Sequence, residues 1–81
     1  MELQIQLFAR ARDLVGCDTI ALTVPESATV KDLREILGKE YPQLKALLPQ
    51  LLVAIDQSYA VDDAVLGANS QVACFPPVSG G

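Results

Sequence analysis

MELQIQLFARARDLVGCDTIALTV, residues 1–24, decides the fold. Leu3, Ile5, Leu7 and Ala9 alternate with Gln4, Gln6, Phe8 and Arg10, the period-2 signature of a strand with one buried face. Residues 19–24 alternate again, with Ile20, Leu22 and Val24 on one side. Residues 13–18, which contain Gly16, read as the turn between them. The stretch predicts an antiparallel hairpin.

Working outward, Pro25-Glu26-Ser27-Ala28 breaks the alternation. Thr29 is placed as a helix N-cap, and Asp32 stands three residues on, where a capping-box acid belongs. Aspartate is shorter than glutamate, so a weak box is expected. Val30, Leu33, Ile36 and Leu37 then share one helical face, which leaves Lys31, Asp32, Arg34 and Glu35 to solvent. Pro42 bounds this helix. Leu44, Leu47 and Leu48 predict a short helical turn, residues 51–55 a third strand, Asp56-Gln57 a turn, residues 59–61 a short fourth strand and residues 71–75 a fifth. The order predicts an α+β fold, a mixed sheet of four to five strands with one main helix across one face. Its first and last strands should lie side by side at the centre. Hairpin, helix and strands in this length resemble the β-grasp arrangement of ubiquitin.

An 81-residue chain fits one domain. At this size folding buries only about 60–65% of the unfolded surface, so a deep enclosed active site is hard to build. Residues 1–75 are expected to form the domain and 76–81 a flexible tail. The absence of an apolar run of about 18 residues argues against a membrane span. The N-terminal alternation is neither a signal nor a transit peptide, so a cytoplasmic protein is expected. Ten acids against six bases, with no basic stripe, disfavour nucleic acid. No histidine is present, which removes the commonest general base and metal ligand. Cys17 and Cys74 lack metal or redox spacing and are expected to be structural thiols. No metal and no cofactor are expected on the chain.

The C-terminal segment has its own pattern. From Ala64 to Gly81 no side chain is charged. Pro76-Pro77 fixes two φ angles and favours an extended exit from the last strand. Val78 and Ser79 lead into Gly80-Gly81, where the absence of a Cβ allows close backbone passage through a narrow channel. An unhindered terminal carboxylate is also easily activated as an acyl-adenylate. By alternation Phe8 and Phe75, the chain's two phenylalanines, should both point to the uncovered face of the sheet, with Arg10 and Arg12 at the rim. An open aromatic pair marks an interaction surface.

Phe75-Pro76-Pro77-Val78-Ser79-Gly80-Gly81 resembles the C-terminal signature of the molybdopterin synthase small-subunit family, and residues 7–16 are similar to that family's first strand and loop. Cys74 departs from the aliphatic or aromatic residue more usual there. The resemblance implies a sulfur carrier in molybdenum cofactor biosynthesis, part of a heterotetrameric synthase. Gly81 would be adenylated by a ubiquitin-activating-like adenylyltransferase that uses ATP, then converted to a thiocarboxylate. Gly80 would allow passage, Pro76, Pro77, Val78 and Ser79 would thread the large subunit, and the sulfur would pass to a pyranopterin precursor. The chain would be a sulfur donor and not itself a catalyst. A thiamine-type sulfur carrier and a ubiquitin-like protein modifier are the alternatives, sharing fold and tail.

Overall fold

A computed structural model describes residues 1–77 of the chain; the tail residues Val78, Ser79, Gly80 and Gly81 lie outside the described residues. Strand β1 (Glu2–Leu7) buries Leu3, Ile5 and Leu7 and exposes the residues between them, as its alternation requires. Strand β2 (Thr19–Thr23) pairs with it antiparallel, Ile5 opposite Ile20.

The connection between them is not a simple turn. In addition to the one main helix, residues Ala9–Val15 form a short helix, α1, where a turn is expected. Period 2 runs on through Arg10 in the sequence and conceals it. The physical cause is a second, helical pattern in which Ala11, Leu14 and Val15 share one face; Ala11 is fully buried and the other two pack against the core. Gly16 ends the helix with φ 92°, its N–H donating to the Arg12 carbonyl at 2.8 Å. Ala9, at the other end, has φ 53°. Left-handed backbone costs a residue with a Cβ roughly 1–2 kcal/mol.

Helix α2 (Val30–Glu40) buries Val30, Leu33 and Leu37 in the core and Gly38 beneath the Leu48 side chain. Its capping box is complete: Asp32 N–H donates to Thr29 Oγ1 at 3.3 Å, and Thr29 N–H to Asp32 Oδ2 at 3.0 Å. The two other unpaired donors of its first turn are taken up by a returning segment, Val30 N–H by the Ala64 carbonyl and Lys31 N–H by the Asp62 carbonyl, each at 3.0 Å. Arg34, expected in solvent, is instead a tie. Its Nε donates to Asp62 Oδ1 and its guanidinium to the Leu48 carbonyl, both at 2.9 Å. Two 3-10 turns, Pro42–Leu44 and Leu48–Gln50, follow where one turn is expected from the sequence.

Strands β3 (Leu52–Ile55), β4 (Ser58–Tyr59) and β5 (Val72–Phe75) complete a five-stranded mixed sheet of order β2-β1-β5-β3-β4. The first and last strands do lie at the centre, parallel, with Leu7 opposite Cys74. Asp56-Gln57 closes the β3–β4 hairpin with φ 50° and 72°, the pair of left-handed residues a type I′ turn needs. Cys74 is fully buried and packs with Val72 in the core, and burial pushes its thiol up to about 12 against the opposing pull of Arg34. It is a structural thiol. Cys17 is exposed, contrary to the expectation for both cysteines, because it lies in the loop after α1.

Candidate functional site

One face of the sheet is covered by α2 and the other is open. On the open face the ladder places Leu52 opposite Phe75, Ala73 opposite Ala54, and Ala54 opposite Tyr59. Three aromatic rings gather there. Phe8 stands edge-on to Phe75 with centroids 6.2 Å apart and planes at 81°. Tyr59 tilts towards Phe75 from the other side, at 5.6 Å and 55°. These separations and angles fall in the favourable range for aromatic pairs. Tyr59 remains 73% exposed and Phe8 45%, so their faces are open to solvent.

Backbone geometry brings Phe8 into this group. It lies one residue beyond β1 but keeps extended backbone, φ −125° and ψ 154°. Its N–H donates to the Cys74 carbonyl at 3.1 Å, which continues the β1–β5 ladder by one step. Phe75 is the last residue of β5 and is half-buried, and the chain then leaves the sheet through Pro76 (half-buried) and Pro77 (exposed). The aromatic group therefore stands at the foot of the tail.

Arg10 and Arg12 are both exposed on α1, immediately after Phe8. Arg12 Nε is 3.6 Å from Asp13 Oδ1 in an exposed pair, an arrangement that contributes little to stability. Away from the rings the open face is polar, and Gln4, Gln6, Thr19 and Gln71 line a shallow groove of about 480 Å³. Among the described residues no cluster of three or more His, Cys, Asp or Glu could hold a metal ion. No helix of the described residues is long and apolar enough to cross a membrane.

Tyr59 is the member of this group that sequence reasoning missed. Its strand has two residues, too few to show a period. The signal was the Asp56-Gln57 turn, since a two-residue loop sets Ile55 opposite Ser58 and so Tyr59 opposite Ala54.

A five-stranded mixed sheet grasping one long helix, with its last strand running out beside an open aromatic face, defines a ubiquitin-like β-grasp protein. Residues 5–81 match the ThiS family, and the chain belongs to it. It is 35% identical over 81 residues to the molybdopterin synthase sulfur carrier subunit of Haemophilus influenzae, spanning 98% of this chain and 99% of that one. The protein of the same description from Dictyostelium discoideum is 34% identical over 83 residues, spanning 99% and 96%. Among solved structures, a small archaeal modifier protein from Haloferax volcanii superposes with a TM-score of 0.86 at 28% identity, covering the whole of both chains.

Proposed function

We propose that this chain is the sulfur-carrier subunit of a molybdopterin synthase, a sulfur donor and not itself a catalyst. The observation that carries the reading is kinship along the whole length with relatives of that description, including the segment that holds the tail. The composition supports it. A carboxylate is a poor electrophile until its oxygen becomes part of a good leaving group. A chain with no histidine must borrow that activation from a partner.

In this reading an adenylyltransferase joins the Gly81 carboxylate to AMP, using ATP and releasing pyrophosphate. A sulfur nucleophile then displaces AMP to leave the thiocarboxylate. The large synthase subunit docks on Phe8, Phe75 and Tyr59, with Arg10 and Arg12 at the rim, while Pro76, Pro77, Val78 and Ser79 thread the tail inward. Gly80 passes the narrowest point. Two free thiols, Cys17 and Cys74, suit a reducing, cytoplasmic setting.

Deleting Gly81 tests the reading. The carboxylate then withdraws by up to about 3.5 Å along an extended chain. Reacting atoms must approach to roughly 3–3.5 Å, so sulfur transfer to the pterin precursor should stop while melting and docking stay native. Gly80→Val should block passage through its branched side chain. Transfer at a near-native rate by the Gly81 deletion would overturn the reading.

The likeness to the archaeal modifier protein favours a second reading, conjugation of the tail to amines of other proteins. Intact-mass analysis separates the two: a carrier gains one sulfur in place of one oxygen, whereas a modifier gives ladders of high mass.

A further inference from the structure

Ala9, where β1 gives way to α1, has left-handed backbone at φ 53°. Such backbone is uncommon for a residue with a Cβ, and strained positions gather at functional sites. Both sides of Ala9 are pinned. Leu7 N–H donates to the Asp18 carbonyl at 2.8 Å and Phe8 N–H to the Cys74 carbonyl at 3.1 Å, while Ala11 is fully buried two residues on. The chain must turn from strand into helix between these anchors, which accounts for the positive φ.

The turn does not account for the Cβ. Ala9 is exposed, so burial of its methyl offsets little of the strain, and glycine would make the same turn freely. What the Cβ does is confine. A residue with a Cβ has one small well at positive φ, whereas glycine ranges widely over that half of the map. The peptide between Phe8 and Ala9 also carries the extended backbone of Phe8. Phe8 ψ and Ala9 φ flank that peptide and turn together, so a narrow well at Ala9 confines Phe8 ψ and with it the χ1 rotamers by which Phe8 can meet Phe75.

We propose that Ala9 is a positioning residue for partner docking: its Cβ, held in left-handed backbone, fixes Phe8 edge-on against Phe75 before any partner arrives. The proposal rests on the docking role given to Phe8 above. Its benefit lies in preorganisation. The observed dissociation constant is the intrinsic one divided by the fraction of molecules already competent to bind.

The test compares four full-length proteins: native, Ala9→Gly, a synthetic chain with D-alanine at position 9, and Phe8→Ala. Ring-to-ring nuclear Overhauser effects between Phe8 and Phe75 are measured on each free protein that holds both rings. Affinity is measured against the purified large subunit of molybdopterin synthase from the same organism. Ala9→Gly should melt no lower than native, lose most of the ring-to-ring signal and bind three- to tenfold more weakly. D-alanine favours positive φ and retains a side chain, so it should restore both signal and affinity. A merely structural role for Ala9 would move melting and leave affinity untouched. Native ring signal and native affinity in Ala9→Gly, with weakened binding by Phe8→Ala, overturn the positioning role and leave docking intact. Native affinity in Phe8→Ala overturns the docking role and the proposal with it.

Discussion

Phe8 and Phe75 meet edge to face at 6.2 Å, although one follows the first strand of the chain and the other closes the last. The parallel pairing of β1 with β5 sets that meeting, and neither ring is buried in the core. Phe8→Ala should therefore cost roughly 1–2 kcal/mol of stability, well below the 3–5 kcal/mol of a buried phenylalanine. Phe75→Ala, half-buried between two rings, should cost more than Phe8→Ala. Each should weaken binding to the large subunit by at least about fivefold, or about 1 kcal/mol. Urea denaturation and titration calorimetry on the same variants check both expectations.

Arg34 gives a prediction of the opposite kind, stability without function. Its guanidinium holds Asp62 and the Leu48 carbonyl and is mostly covered, its side chain 22% exposed. Arg34→Met should cost about 1–2 kcal/mol through lost charge-assisted hydrogen bonds. Asp62→Asn should cost less, because Asp62 is the exposed partner. Denaturant midpoints measure both, and partner affinity should be unchanged in either.

The β3–β4 turn invites a gain. Gln57 has φ 72°, where glycine is preferred, while Asp56 Oδ1 accepts from Gln71 N–H at 2.9 Å and should be kept. Gln57→Gly converts the turn to Asp-Gly, the pair best suited to type I′, and should stabilise by about 0.5–1 kcal/mol. A raised melting temperature with unaltered docking is the expected result.

Cys74 predicts a pH dependence. Its thiol titrates near 9.0 when unfolded and about 12 when folded, because burial disfavours the thiolate. Between those values the unfolded chain has lost a proton that the folded chain keeps, so stability is full below pH 9 and falls as pH rises towards 12. The slope from this group approaches about 1.4 kcal/mol per pH unit. Cys74→Ala should remove that component, visible as the difference between the two stability curves. At neutral pH a thiol reagent should label Cys17 promptly and Cys74 only on unfolding.

Much of this architecture was legible in the sequence. The alternation of Leu3, Ile5 and Leu7, the Thr29–Asp32 cap and the Asp56-Gln57 turn each act through near neighbours, and each is found in place. Helix α1 was hidden because Leu7 to Arg10 happens to continue a period of two, and seven residues offer only three inward positions to contradict it. Arg34 was misread for a different reason. Periodicity places it on the solvent side of α2, and the chain covers it on its later returns at Leu48 and Asp62. The open-face placement of Phe8 was read by extending alternation past the strand. That holds because Phe8 keeps extended backbone for one residue more.

The strand order has a consequence for damaged chains. Hairpin β1–β2 and hairpin β3–β4 share no ladder of their own; β5 alone joins them, contributing Val72 and Cys74 to the core. A chain cut anywhere upstream of Val72 therefore loses the keystone of its sheet together with its tail. Each remaining strand pair is then left without a sheet neighbour, and a two-stranded unit has little stability of its own in water. Such a fragment should unfold and so make a poor decoy for a partner's binding surface, with nothing to deliver. Folding itself certifies that the strand leading into the tail is present.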